Sequence, residues 1–293
     1  MTRATAAPRV AALAHTPRST MLASSLLHAA LSAAAVGALL STLQRAGPRV
    51  AGLAAAVPIN SVPALFWLSV EHGGRFATSA ALGSLHGTGL TVLLGAVFAR
   101  LAMAWAVPVA ALASWLAIAV VAALTWTLTS LPAGIALGAL GAITLGRLAL
   151  PSPPPRAPER SAAVRARTWP SIVVAGAMSL VVTELSRHLG ARLCGLFCAL
   201  PLMAMFALHA GWRRGGAPLM LRVLLGYVDG MTAKAAFLGT LACAWVLGAG
   251  AWAWALALAA AGAALAAQHA ASIVARRRRA TTMGACSAAT SSP

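Results

Sequence analysis

Acidic residues are almost missing from this chain. Of 293 residues four are Asp or Glu, against 22 Lys or Arg, and charged residues of both signs make up only 9%. A soluble domain keeps its surface wetted with roughly a quarter of its residues charged, so a soluble globular fold is excluded. So few carboxylates also leave little for acid–base or metal chemistry. Neither a metalloprotease motif nor a serine-nucleophile motif is present, and neither His28 nor His209 has a second His or an acid at ligand spacing. The expectation is a protein that is not an enzyme and uses no metal and no cofactor. The four cysteines give neither zinc spacing nor a disulfide framework: Cys194 and Cys198 share a helix face in apolar surroundings, Cys243 is apolar-flanked, and Cys286 is near the C-terminus. The glycines from Gly83 to Gly89 follow no strand and form no nucleotide loop. Period-two alternation is missing too, which excludes a membrane β-barrel.

What the chain has is apolar length. It is 60% hydrophobic with a mean hydropathy of +0.84. Crossing a hydrocarbon core takes roughly 20 apolar residues as helix, and several such segments follow one another. The chain is therefore read as an all-α polytopic membrane protein with about nine transmembrane helices. The formal charge of +18 raises the question of nucleic acid. All basic residues but Lys234 are Arg, and most flank apolar segments without a basic stripe or stacking aromatics. Membrane lipids, not nucleic acid, are the expected partners, with the basic ends setting topology.

Taken in order, residues 1–20 are expected to be a disordered or mis-started N-terminal extension, with Met21 opening the first apolar run. Residues 21–127 hold four spans: about 21–43, 50–70, 76–99 and 103–125. A linking transmembrane helix occupies 128–150. The Pro/Arg-rich segment 151–168 is a stiff cytoplasmic linker. Residues 169–275 hold four further spans: about 172–186, 193–210, 219–241 and 250–274. Residues 276–293 read as a basic stop, Arg276 to Arg279, and a disordered tail. Trp105, Trp126, Trp169 and Trp212 lie near predicted ends and fit an aromatic belt.

The two four-helix units are copies. Leu82-Gly83-Ser84-Leu85-His86-Gly87 is matched by Leu225-Gly226-Tyr227-Val228-Asp229-Gly230, an offset of 143 from His86 to Asp229. The same offset pairs Pro58 with Pro201, Gly52-Leu53 with Gly195-Leu196, and Arg49 with Arg192. Five crossings precede the second copy, so the two repeats enter the membrane from opposite sides, as in many secondary transporters. Arginine placement agrees. Arg45, Arg49, Arg100, Arg147, Arg156, Arg160, Arg165, Arg167, Arg213, Arg214 and Arg276 to Arg279 fall on one side, and Arg3, Arg9, Arg18, Arg75, Arg187 and Arg192 on the other. By the positive-inside rule the N-terminus is outside and the linker and C-terminus are cytoplasmic, in a cell inner membrane.

Four unusual residues share nearly one depth. His86 and Asp229 fall about 15 Å into their spans, and Pro58 and Pro201 about 12 Å into theirs. Each proline removes a backbone donor, and broken helices at a repeat interface are where transporters build coupling-ion and substrate sites. Asp229 is the strongest site candidate because an intramembrane carboxylate is costly unless it is functional or paired. His86 is its expected partner, with Arg222, Asn60 and Ser61 as further members of a substrate or proton path. The alternative is structural. Gly83-x-x-x-Gly87 and Gly226-x-x-x-Gly230 are helix-packing motifs, so that spans 3 and 8 would cross on them and His86 with Asp229 would lock the crossing.

The pattern Ala51-Gly52-Leu53 then Pro58, repeated as Cys194-Gly195-Leu196 then Pro201 with Phe206-Ala207-Leu208-His209, resembles the GlpM-type family of small bacterial inner-membrane proteins. The resemblance implies two fused copies of a unit of about four apolar segments, and no substrate. The functional expectation is a small secondary transporter or exporter of a small molecule or ion with a proton-titratable midplane site. The alternative is a non-transporting membrane scaffold or assembly factor, and either is compatible with a homodimer.

The inverted arrangement is tested by cysteine accessibility in a variant lacking the four native cysteines. Ser130→Cys is expected to label from outside, and Ser152→Cys and Thr282→Cys from the cytoplasm. Labelling of Ser130→Cys and Ser152→Cys from one side would make the two repeats parallel.

Overall fold

The computed structural model describes residues 61–128, 131–151, 190–199 and 202–290, and the isolated positions 26, 27, 29, 30, 33, 34, 173, 176, 177, 180, 181 and 188. Among the described residues there are seven helices and no strand. Helix α1 is Ser61–His72. Gly73, at φ 83, turns the chain into α2, Gly74–Leu101. Helix α3 is Val107–Leu128, and α4 is Pro132–Ala149, opened by a proline whose missing N–H costs nothing in the first turn. Helix α5 is the short Ala191–Cys198, α6 is Leu202–Val246, and α7 is Trp252–Thr290.

Four of these, Gly74–Leu101, Val107–Trp126, Pro132–Ala149 and Trp252–Ala271, are long and apolar enough to cross a membrane. They coincide with the third, fourth, fifth and ninth spans expected from the sequence. The eighth lies within α6, in a part long enough to cross but carrying Arg222, Asp229 and Lys234. The first span and the sixth fall almost wholly outside the described residues, as do residues 1–20, the 151–168 linker, and the part of the second span before Ser61.

Helix α2 is the inside of the protein. Its apolar window is 83% buried, against 17 to 22% for α3, α4 and α7. The outer helices turn apolar residues away from the chain, as Leu112, Leu116, Val120 and Leu124 of α3 illustrate. Lipid tails are as apolar as leucine, so helices in a membrane gain little by hiding such residues from lipid and associate through close packing. The glycines of α2 supply it. A Cβ at Gly89 would meet Ala139 Cα of α4 at 2.9 Å, and one at Gly95 would meet Leu224 Cδ1 of α6 at 2.9 Å. On α4, a Cβ at Gly146 would meet Val92 Cγ1 at 2.5 Å.

The Gly83/Gly87 motif has a different neighbour from the one expected of it. A Cβ at Gly83 would fall on the Arg192 carbonyl, and one at Gly87 would meet Ala199 Cβ at 2.6 Å, while Gly195 of α5 presses against the Ala80 carbonyl. Gly83 and Gly87 therefore seat α5, and the crossing of spans 3 and 8 on paired glycine motifs is corrected. Helices α2 and α6 do touch, at Gly95 and Leu224, where one large side chain enters the space over one glycine.

Two further expectations change. The seventh span, about 193–210, is divided: α5 ends at Cys198 and α6 begins at Leu202. Helix α6 itself is broken at Gly215 and Gly216, the latter at φ 64, a conformation open to glycine at no steric cost. The tail expected to be disordered is helical, because α7 runs through Arg276 to Arg279 and on to Thr290. Alanine and arginine are strong helix formers, and neither Pro nor a capping turn interrupts them until that point.

The glycine seam predicts a contrast. Gly195→Ala, whose methyl would strike backbone, is expected to cost at least about 1–3 kcal/mol in detergent unfolding. Gly141→Ala, which meets nothing within 4 Å, is expected to be neutral or to gain up to about 1 kcal/mol from helix propensity. Equal effects at the two positions would contradict the seam.

Candidate functional site at the helix break

A proline has no N–H, and a helix that stops leaves carbonyls without intrahelical donors. Helix α5 stops at Cys198 with Ala199 as its C-terminal cap. Its last carbonyls are met by hydroxyls from the first half of the chain. Ser61 Oγ of α1 donates to the Cys198 carbonyl at 3.4 Å, and Thr91 Oγ1 of α2 lies 3.1 Å from the Ala199 carbonyl. Thr91 Oγ1 is also 2.8 Å from the Gly87 carbonyl. A threonine hydroxyl has one proton, so it serves one of these two oxygens at a time. Both hydroxyl residues are buried, Ser61 at 0% and Thr91 at 4% exposure.

Lys234 of α6 is buried at the same place, within electrostatic range of the Cys198 thiol. An ammonium near the C-terminal end of α5 faces the negative end of that helix's dipole. These contacts also fix direction. Leu224 lies against Gly95, whereas Lys234 lies near Cys198, at the level of Thr91. Moving up α6 thus moves down α2, and the two helices are antiparallel.

Asp229 lies between these anchors, and its carboxylate is claimed from α4. Arg147 Nη2 donates to Asp229 Oδ1 at 2.5 Å, with the Arg147 side chain 42% exposed and that of Asp229 19% exposed. His86 is engaged elsewhere. Its Nε2 is 3.0 Å from Thr125 Oγ1 of α3, and its ring stacks on Trp126 with 6.5 Å between centroids. Thr125 Oγ1 is also 2.8 Å from the Val121 carbonyl, so the tautomer of His86 decides which partner its proton serves. The guanidinium of Arg192 lies over the other partner, 4.4 Å from the Trp126 ring centroid. His86 and Asp229 thus each have a partner on a different helix, α3 and α4. A charged guanidinium is the stronger acceptor-seeking partner for a carboxylate than an imidazole.

Of the remaining candidates, Ser61 reaches the break, while Asn60, Pro58 and Pro201 lie outside the described residues. Arg222 is on the face of α6 that carries Asp229, two turns earlier, and its Nη2 is buried with no hydrogen-bond partner among the described residues. Gly226 and Gly230 are buried on α6. Arg147, Thr91, Lys234, Thr125 and Arg192 were not among the expected site residues. A sequence signal existed for Thr91 and Lys234, which are 143 residues apart, as His86 and Asp229 are, and for Arg192, at the same separation from Arg49. Arg147 is near a helix end and reads in sequence as a topology determinant.

Among the described residues no group of three His, Cys, Asp or Glu side chains is placed to hold a metal ion. No protein-family model matches the chain, and no curated protein and no solved structure matches it.

The ion pair is checked by a double-mutant cycle. Arg147→Gln and Asp229→Asn are each expected to cost about 1–3 kcal/mol, and the coupling between them to be about 1 kcal/mol because Arg147 is partly exposed. Strict additivity would mean that the pair contributes nothing.

Proposed function

We propose that the chain is a small secondary transporter or exporter of the cell inner membrane, built as two inverted four-helix repeats around a linking helix, with nine spans in all. In this reading the N-terminus is outside and the C-terminus cytoplasmic. The repeat unit is the one whose Gly-Leu to Pro spacing resembles the GlpM-type family. The observation that carries the proposal is the end of α5 at Cys198, where Ala199, Ser61, Thr91 and Lys234 are buried together inside the protein. Interrupted helices in a hydrocarbon are tolerated where protein or water satisfies the freed groups, and such breaks at a repeat interface are where transported ions and substrates bind.

The proton-titratable member in this reading is Asp229. Its carboxylate joins α4 to α6 through Arg147. A proton arriving there removes the charge that holds Arg147 and frees α6 to move relative to α4. The half-exposed guanidinium can then turn outward to water. Ser61 and Thr91 hold the broken end of α5 against α1 and α2, so a change at the break is felt by both halves.

A second reading, a scaffold or assembly factor, is favoured by one observation: the α2–α5 seam locks the two halves together backbone to backbone. Aqueous access separates the two. In the cysteine-free background, Asp229→Cys and Thr232→Cys are expected to react with a membrane-impermeant thiosulfonate from one side of the membrane. Unreactive probes in a folded protein would leave the scaffold.

A further inference from the structure

We propose that the face of α6 carrying Arg222 and Asp229, opposite Arg147 of α4, binds an oxyanion, namely a phosphate group. The argument begins with charge. Among the described residues the acids are Glu71 and Asp229, and Asp229 is the one at this face. It meets Arg147 directly. Arg222 is seven residues before Asp229, which on an α-helix is two turns less about 20°, so both side chains leave the same face about 10 Å apart. One carboxylate thus stands against two guanidiniums, and one positive charge is left over.

The second observation is independent of the charge count. Nη2 of Arg222 is buried and has no hydrogen-bond partner among the described residues. A buried donor without an acceptor is expensive, and more so on a charged group. Neighbouring elements supply no better answer. His86 of α2 is held by Thr125, and Lys234, five residues beyond Asp229, leaves α6 about 140° away, near Cys198 of α5. We assign the acceptor to a ligand, since none stands against Arg222 Nη2 among the described residues.

Position defines the way in. Val92 lies against Gly146, and Leu224 against Gly95, so Arg147 and Arg222 are near the levels of Leu93 and Val97 of α2. Asp229, on the antiparallel α6, is deeper. Arg100 closes the same end, with its Nε donating to the Ala149 carbonyl at 2.8 Å. An anion entering here passes Arg100, meets Arg222, and competes with Asp229 for Arg147. Phosphate suits the place because its oxygens accept from two guanidiniums at once, which a carboxylate does less fully. The phosphate belongs either to a lipid headgroup or to a soluble ion, and the half-exposed Arg147 serves both.

Asp229 is in this account an internal competitor, which gives an expected gain as well as a loss. The full-length chain is placed in phosphatidylcholine nanodiscs, and binding of radiolabelled inorganic phosphate is measured by equilibrium dialysis. In parallel, retention of phosphatidylglycerol from a mixed-lipid preparation is read by native mass spectrometry. Phosphate binding in neutral lipid assigns a soluble oxyanion, and retention of phosphatidylglycerol alone assigns a headgroup. Either supports the site if Arg222→Gln weakens it about tenfold or more, the loss expected for one charge-assisted hydrogen bond, and if Asp229→Asn strengthens it. Equal binding by Arg222→Gln, or binding of neither probe by the wild type and Asp229→Asn, overturns it. Should Arg222→Gln fail to fold, Asp229→Asn decides alone, and unchanged binding there overturns the proposal. Binding is read without transport, so phosphate held by a protein whose Asp229→Cys and Thr232→Cys probes are silent keeps this site and removes the transport reading.

Discussion

In hydrocarbon a helix that ends must hand its last carbonyls to another part of the protein, because no water is there to take them. The end of α5 at Cys198 sets that requirement, and Ser61 and Thr91 meet it from the other half of the chain. For those hydroxyls to reach, α5 must approach α2 closely, and this is what Gly83, Gly87 and Gly195 permit. The burial of α2 follows, with α4 and α6 brought against its remaining glycines at Gly89 and Gly95. One interrupted helix thus accounts for the central position of another.

Charge is arranged around the same core with the same economy. Helix α6 carries Arg222, Asp229 and Lys234, three groups that a lipid-facing span cannot hold, and each is turned into the protein to a different degree. Asp229 is neutralised by Arg147, Lys234 is buried within electrostatic range of Cys198, and Arg222 presents a buried donor. The aromatic ring of Trp126 serves both a histidine on one helix and an arginine on another, tying His86 and Arg192 into one cluster. The partners of Asp229 and His86 come from different helices, α4 for Asp229 and α3 for His86.

Much of the architecture was legible beforehand. Helices α2, α3 and α4 begin and end within a few residues of the spans read from hydropathy, because the length of an apolar run is a local property. Asp229 was legible as a site candidate on cost alone, while Pro201 lies outside the described residues. Arg147 was hidden in plain view. A basic residue near a helix end has an ordinary reason to be there, and nothing local says that its side chain reaches back to an acid on a helix 82 residues further along. The helical continuation of α7 past four arginines shows the opposite failure, where a charge run was given more weight than the helix propensity of its neighbours.

Composition and periodicity by themselves determined that this is a helical membrane protein and where α2, α3 and α4 lie, since each depends only on residues near one another in the chain. Tertiary structure decided the partners: Arg147 for Asp229, Thr125 and Trp126 for His86, and α5 for the glycine motif of α2. The reason is physical. Helices packed without a hydrophobic bias find one another through small residues and polar contacts, and which of several equivalent glycines and charges meet is settled only when all the helices are in place.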